Sequence, residues 1–205
     1  MLRIVAIDLE TSGLNPETCQ ILEIAVVVDD LDNPQPIDSL PTFQTLIKHE
    51  IYSGTPFAIQ LNVEIFKKLA DKNYPAMTCK EAATELHKFF DKLFKGDKIN
   101  VAGKNVGTFD YRFFMQDPHL RRVADRFFRH RMIDVGALFL KPEDDSIPGM
   151  EECMRRGGLN PIVTHHALDD AKDVIKLIRI WAERQKQVIP RLDNVPIVLP
   201  VYGLN

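Results

Sequence analysis

Apolar residues are spaced in this chain so that strands are predicted mainly in the first half and helices mainly afterwards. Continuous apolar runs at residues 3–9, 21–28 and 42–48 are typical of strands buried within a sheet. Residues 98–103 and 131–135 predict two further short strands. Prolines, glycines and aspartates cluster between the first three runs and mark turns. The predicted sheet therefore has five strands.

Stretches with helical periodicity follow the third strand. We expect helices at about residues 62–72, 79–94, 108–115, 118–128 and 167–188. The second helix opens with Thr78 and Glu81 at the spacing of a capping box, in which two side chains satisfy backbone amides reciprocally. Three strands, followed by helices that alternate with two more strands, predict an α/β fold with a mixed five-stranded sheet and helices on both faces.

The composition is typical of one globular domain with a short tail. Of the 205 residues, 45% are hydrophobic and 27% are charged. We expect a domain over residues 1–188 and a tail over residues 189–205 that contains Pro190, Pro196 and Pro200. No apolar run is long enough to span a bilayer, so no membrane partner is expected. The first residues predict a strand rather than a signal peptide.

Net charge and cysteine content argue against other classes of protein. The formal net charge is −3, whereas proteins that coat long nucleic acids are strongly basic. An enzyme that grips a few nucleotides at an acidic metal site remains compatible with this charge. The cysteines are Cys19, Cys79 and Cys153, an odd number without the spacing of a zinc site. We therefore expect reduced thiols and a cytoplasmic protein.

Carboxylates stand at three points where predicted elements begin or end. Asp8 and Glu10 are two residues apart at the end of the first strand, so their side chains point to one face. Asp110 lies in the first turn of the helix after the fourth strand, and Asp170 lies near the start of the last helix. Each acid alone is explained by solvation or by the helix dipole. Carboxylate oxygens at strand ends are also the ligands that Mg²⁺ and Mn²⁺ prefer.

The segments that hold these acids are AIDLETSGL, NVGTFD and HHALDDA. They resemble the three motifs of the DEDDh family of DnaQ-like 3′–5′ exonucleases. The matching positions are Asp8, Glu10, Thr11, Ser12 and Gly13 in the first motif, Asn105, Phe109 and Asp110 in the second, and His165, Ala167, Asp170 and Ala171 in the third. The resemblance extends from about residue 3 to about residue 182 and implies a ribonuclease H-like fold.

The resemblance implies a phosphodiester hydrolase that releases 5′-nucleoside monophosphates from a single-stranded 3′ end, either of DNA or of short RNA. It also implies two Mg²⁺ or Mn²⁺ ions per site, which clamp the attacking and leaving oxygens. In such a site Asp8 would bridge both ions, and Glu10 and Asp170 would complete the protein ligands of one. Asp110 would act on the other ion. His165 would accept the proton of the attacking water, because imidazole titrates near neutral pH.

Either of two adjacent histidines, His165 or His166, could be this general base. A sister group of the family uses a tyrosine four residues before the last motif aspartate, and His166 occupies that position here. His165 stands five residues before it, as in the DEDDh pattern. We therefore predict that His165 is the general base and that Asp169 is a solvated charge.

Residues beside the motif acids are candidates for binding the terminal nucleotide. The resemblance implies that Thr11 contacts the 3′ hydroxyl and that Leu14 wedges against the terminal bases, with turn formation and loop packing as alternatives. Asn105 and Phe109 are further candidate contacts, with turn ordering and core packing as their alternatives. Glu23 lies inside an apolar strand and is expected to be structural.

Neither the substrate nor the partners are specified by the motifs. The segment KHEIYSGTPFAIQLN departs from the His-Gly-Ile-like turn that is frequent in the family. Because loops in this region shape the nucleotide groove, the motifs do not distinguish a DNA substrate from an RNA substrate. Residues 121–131 carry five arginines, which indicate either a solvated helix face or a patch that guides phosphates or grips a partner chain. Alternative functions are a proofreading subunit of a separate DNA polymerase and a non-catalytic nucleic-acid-binding domain. The resemblance also allows a homodimer.

Overall fold

The computed structural model describes residues 2–162 and 166–192, with side chains as far as residue 186. Its strands are β1 (Arg3–Thr11), β2 (Ile21–Asp30), β3 (Thr42–Ile47), β4 (Ala76–Met77), β5 (Asn100–Gly103) and β6 (Ile133–Asp134). Its helices are α1 (Pro56–Leu61), α2 (Val63–Ala70), α3 (Cys79–Phe94), α4 (Asp110–Gln116), α5 (Pro118–Phe127), α6 (Val135–Leu138), α7 (Met150–Gly157) and α8 (Ala167–Leu192). The predicted α/β class with a mixed sheet is confirmed.

The sheet has six strands rather than the predicted five, because the two-residue strand β4 pairs with the end of β3. The strand order is β4-β3-β2-β1-β5-β6. β2 is antiparallel to β1 and β3, whereas β5 is parallel to both β1 and β6. The carboxyl ends of β1, β5 and β6 therefore meet at one edge of the sheet, which is where α/β folds place their sites.

Side chains of β1 alternate between two hydrophobic cores. Val5 and Ile7 pack in the core beneath α3, α4 and α5. Ile4 and Ala6 pack in the core on the opposite face, beneath α6, α7 and α8. Because successive strand residues point to opposite faces, Asp8 continues the row of Ile4 and Ala6 towards α8. The strand register thus places the side chain of Asp8 at the edge of an apolar core.

Helix boundaries show where the sequence prediction was incomplete. The capping box predicted for α3 is confirmed: Glu81 N–H donates to the hydroxyl of Thr78, and Thr78 N–H donates to Glu81. The helix predicted over 62–72 is confirmed as α2, which Asn62 precedes, whereas the short helix α1 just before it was not predicted. α6 and α7 have eight residues or fewer and were not predicted. α8 continues beyond residue 188 to Leu192, and residues 193–205 lie outside the described part of the chain.

Two further observations concern the chain as a whole. Across residues 2–162 and 166–192, no helix combines the length and the apolar character needed to cross a membrane. Cys19, Cys79 and Cys153 are free thiols.

A buried ion pair fastens α8 to the sheet. Asp29, at the end of β2, is 1% exposed, and Arg179 clamps both of its oxygens at 2.8 and 2.5 Å. Arg179→Ala would leave a buried carboxylate without its partner, so we expect the free energy of unfolding to fall by about 3–5 kcal/mol. Lys186→Ala, which breaks the exposed pair with Glu183 on the same helix, is the control and should cost about 0–1 kcal/mol. Denaturant titration checks both values, and equal losses would contradict this role of the ion pair.

Candidate active site

Three carboxylates meet where β1 ends beneath the first turn of α8. Asp8, Glu10 and Asp170 each offer an oxygen, and the three oxygens lie within 4.8 Å of one another. Asp8 and Glu10 project from the same face of β1, and Asp170 reaches them from the opposing helix. The N–H of Asp170 donates to the carbonyl of His166 at 3.0 Å. The arrangement therefore depends on the strand register and on the position at which α8 begins.

The fourth motif acid comes from the first residue of α4. Asp110 is 3% exposed, and its Oδ1 accepts a hydrogen bond of 3.0 Å from the N–H of Leu9. Gly103 allows this approach at the end of β5, because a Cβ there would lie 2.9 Å from the carbonyl of Ile7 and 2.7 Å from the side chain of Val106. β5 therefore runs close beside β1, and the following turn brings Asp110 against the backbone of β1.

The turn that delivers Asp110 is ordered by Asn105. Asn105 has a left-handed backbone with φ of 57°, and its carbonyl accepts from the N–H groups of Thr108 and Phe109. Its own N–H donates to Asp134 Oδ2 at 3.0 Å. The sequence pattern did not indicate Asp134, which stands at the end of β6 and holds this turn. The predicted contact between Asn105 and the substrate stays a prediction.

Burial and mutual repulsion raise the pKa values of these carboxyl groups. Burial raises the pKa of Asp8 well above its usual range, and the charges of Asp110, Asp170 and Glu10 add to the effect. Burial, followed by the charge of Asp170, raises the pKa of Glu10 to about 8. Burial raises the pKa of Asp110 to about 7. At neutral pH, desolvation and mutual repulsion therefore oppose full ionisation of these carboxyl groups.

The donor set fits a hard divalent cation. Such a cation is bound by carboxylate oxygens and offsets the repulsion between them. The three oxygens of Asp8, Glu10 and Asp170 converge closely enough to share one ion, and Asp110 lies close enough to raise the pKa of Asp8 through its charge. The residues present thus match the acidic, metal-dependent site that the motifs predict.

The raised pKa values predict that stability depends on both pH and metal. In the folded chain Glu10 and Asp110 keep protons that the unfolded chain loses near its ordinary carboxyl pKa, so stability should fall as pH rises from about 5 towards about 8. Melting temperatures measured in EDTA at pH 5.5 and pH 8 check this trend. Mg²⁺ should raise the melting temperature more at pH 8 than at pH 5.5. A metal-independent melting temperature at pH 8 would contradict the assignment.

A cavity of about 410 Å³ opens beside Glu10 and presents apolar side chains to solvent. Leu14 is 79% exposed in the loop after β1, and Phe57 is 75% exposed on α1. Phe109, which packs edge-on against Phe113 with ring centroids 5.2 Å apart, also lines the cavity. Apolar and aromatic surfaces next to acidic groups suit a base whose phosphate lies at the carboxylates. Phe57 was not indicated by the sequence pattern.

Two polar side chains border this cavity. The hydroxyl of Thr11 donates to the carbonyl of Gly13 at 2.8 Å, which leaves its oxygen free to accept. Asn62 Nδ2 donates to the carbonyl of Thr11 at 3.1 Å. A hydrogen bond between Asn62 and the side chain of Glu10 lowers the pKa of that carboxyl, against the larger effect of burial. Asn62 lies in the segment that departs from the family pattern, so the motifs did not identify it.

A fifth acid, Glu23, is buried next to the four motif acids. Glu23 of β2 pairs directly with Glu10 of β1 in the sheet register and is 5% exposed. Its Oε1 accepts a hydrogen bond of 2.6 Å from Gln44 Nε2. The charge of Glu23 contributes to the raised pKa of Glu10. Glu23 thus has a partner in the sheet, and its effect on the site is electrostatic.

The structure describes one of the two histidines of the third motif. His165, the predicted general base, lies outside the described residues. His166 is exposed, and so is Asp169, whereas Asp170 is buried. Of the two adjacent aspartates, only Asp170 joins the carboxylate cluster.

Known proteins that resemble the chain share its length or its fold. A family model described as exonuclease matches residues 5–178. The oligoribonuclease of Pectobacterium atrosepticum is 29% identical over 191 residues, which cover 88% of this chain and 94% of that protein. The crystal structure of cell-death related nuclease 4 superposes with a TM-score of 0.63 at 13% sequence identity. The structure of exonuclease I of E. coli in complex with a dT13 oligonucleotide superposes with a TM-score of 0.61 at 18% sequence identity. The matches cover 89% and 94% of this chain but span only 64% and 44% of those two structures.

Proposed function

Because the chain belongs to the RNase T exonuclease family, whose members are DEDDh 3′–5′ exonucleases of ribonuclease H-like fold, we propose that it hydrolyses single-stranded DNA or short RNA to 5′-nucleoside monophosphates. The observation that carries this proposal is the convergence of Asp8, Glu10 and Asp170, with Asp110 beside them. All four acids of the family motifs are present, which counts against a non-catalytic binding domain. The oligoribonuclease relatives and the oligonucleotide complex support single-stranded substrates.

The carboxylates have the role of holding divalent cations at the scissile phosphate. Asp8, Glu10 and Asp170 would bind one ion, and Asp8 and Asp110 would bind the second. Two Mg²⁺ or Mn²⁺ ions would neutralise charge on the attacking and leaving oxygens of the phosphodiester. The hydrogen bond from the N–H of Leu9 holds Asp110 in place before the substrate arrives.

His165 is proposed as the group that accepts the proton from the attacking water. Its place in the sequence matches the base of the DEDDh motif, five residues before Asp170. An imidazole can remove this proton near neutral pH and return it to solvent after the bond is cleaved.

The cavity beside Glu10 would hold the terminal nucleotide. Leu14 and Phe57 offer exposed apolar surface for the base, and Phe109 contributes to the cavity wall. The oxygen of Thr11 can accept a hydrogen bond from the 3′ hydroxyl. These contacts would place the last phosphodiester at the carboxylates.

Phe57→Ala tests this binding mode. We expect KM to rise about tenfold with little change in kcat, because stacking on an aromatic ring contributes about 1–3 kcal/mol per base. Steady-state kinetics on a single-stranded oligonucleotide gives both constants. Ile51→Ala is the matched control, since Ile51 is 80% exposed but does not line the cavity. Equal KM values for the two variants would remove Phe57 from the binding site.

The proposed function is tested by the products formed from DNA and RNA. Single-stranded oligonucleotides of equal sequence are incubated with the chain and Mg²⁺, and the products are separated by chromatography. We expect 5′-nucleoside monophosphates from the start of the reaction and no reaction in EDTA. The faster reaction identifies the preferred sugar. Absence of monophosphates from both substrates, with Mn²⁺ also tried, would contradict the proposal.

A further inference from the structure

A second concave surface lies between α3 and α5, apart from the carboxylates. It is a groove of about 590 Å³. Its lining includes Lys80, His87 and Lys88 from α3, and His119 and Arg122 from α5. These five residues define what we call the basic groove.

The basic groove carries positive charge that the protein does not neutralise. Lys88 pairs with Glu85 at 2.7 Å on the surface of α3. Within residues 2–162 and 166–186, no carboxylate lies within ion-pair distance of Lys80 or Arg122. Both side chains are exposed. Two uncompensated cations on facing helices, in a chain of net charge −3, favour an anionic ligand.

The lining residues place the basic groove near the cavity beside Glu10. A smaller depression of about 180 Å³ lies between them, and Cys19 lines both this depression and the cavity. Cys79 and Pro118 line the depression on its other side. The next residue along each helix, Lys80 after Cys79 and His119 after Pro118, lines the basic groove. Lys80 therefore stands one residue from the depression that shares Cys19 with the terminal-nucleotide cavity.

The length of the basic groove suits a polymer rather than a single ion. Lys80 and Lys88 are eight residues apart on α3, which corresponds to about 12 Å at the helical rise. This distance exceeds the separation of adjacent phosphates along a single strand. The cations can thus meet different phosphates of one strand.

We propose that the basic groove binds backbone phosphates of the upstream part of a single strand whose 3′ end occupies the carboxylate site. This inference rests on the proposed function and extends its substrate class to strands long enough to reach from the cavity to α3 and α5. Affinity then increases with strand length until the groove is filled. A strand of two or three nucleotides is bound by the cavity alone.

The test compares two double variants with the same change in net charge. Lys80→Ala with Arg122→Ala removes the uncompensated cations of the basic groove. Lys72→Ala with Lys141→Ala removes two exposed cations that line neither the groove nor the cavity. All four side chains are exposed, so the variants should fold, and their melting temperatures check this. Binding of 5′-fluorescein strands of 3 and 12 nucleotides is measured by anisotropy in EDTA over a series of salt concentrations.

We expect the groove variant to bind the 12-nucleotide strand about tenfold more weakly than the wild-type chain does. The slope of log K against log salt should become shallower by about 1.4, because each lost phosphate contact on a single strand accounts for about 0.7. Binding of the 3-nucleotide strand, and all binding by the control variant, should be unchanged. With Mg²⁺, KM for the longer strand should rise in the groove variant while kcat stays constant.

Unchanged affinity and salt slope for the 12-nucleotide strand would overturn the proposal. Binding of a fluorescent polyglutamate peptide is measured in parallel. If the groove variant lost binding to this peptide but not to the 12-nucleotide strand, the groove would be assigned to an acidic protein segment, which would also overturn the proposal. Failure of the proposed function is a separate result: the wild-type chain would bind the longer strand through the groove but would release no nucleotides.

Discussion

Asp8→Asn is expected to abolish cleavage, lowering kcat by on the order of 10³-fold or more. Asp8 is the acid on which the other three converge, since the charges of Asp110, Asp170 and Glu10 all raise its pKa. An amide in this position removes a negative ligand from the centre of the cluster. The expected loss exceeds the roughly 10²–10³-fold that removal of a single stabilising group costs at other sites.

The same substitution should leave the fold intact. Asparagine has nearly the shape of aspartate but no charge, so it relieves repulsion among buried carboxylates. The melting temperature in EDTA should therefore stay the same or rise, which separates loss of catalysis from loss of structure. Asp169→Asn is the matched control on α8, because Asp169 is exposed while its neighbour Asp170 joins the cluster. If Asp8→Asn kept activity within about tenfold of the wild-type value, the acidic site would not be the catalytic centre.

His165→Ala is expected to lower kcat by about 10²–10⁴-fold, the usual contribution of general acid–base catalysis. The pH profile of the remaining activity should lose the limb that rises through the imidazole pKa. Binding of the 3′ end should change little, so KM should stay near the wild-type value.

His166→Ala is the control for this substitution. His166 is exposed, and its contact with Asp170 uses its backbone carbonyl, which the substitution preserves. We expect nearly full activity and an unaltered pH profile. The reverse ranking of the two variants would transfer the role of base to His166.

Local sequence features were sufficient to predict most of the secondary structure near the site. The apolar run that forms β1 ends at the motif acids, and Thr78 and Glu81 determine the start of α3 within a few residues. The helix predicted over 62–72 forms as α2, but α1 directly before it was not predicted. Asn62, at the junction of α1 and α2, donates a hydrogen bond to the backbone of Thr11, a contact between residues far apart in sequence.

The convergence of the acids was easier to predict than their surroundings. The resemblance to the family motifs singled out Asp8, Glu10 and Asp170, which the fold brings together. Phe57 and Asp134 were not identified, since their roles depend on the hydrogen bond from Thr55, which precedes α1, to Ser12 and on the pairing of β6 with β5. The basic groove was also beyond the sequence pattern: of the arginines in residues 121–131, only Arg122 lines it, and the rest of its lining comes from both α3 and α5.

We propose above that the carboxylate site removes nucleotides one at a time from the 3′ end with the help of a divalent cation. The most direct test of this proposal uses one single strand labelled either at the 5′ end or at the 3′ end, incubated with the wild-type chain in Mg²⁺ or in EDTA. We expect the 5′ label to appear in a ladder of gradually shorter strands, the 3′ label to appear at once in a mononucleotide, and EDTA to prevent both. A ladder from the 3′-labelled strand, internal fragments, or equal cleavage in EDTA would contradict the proposal.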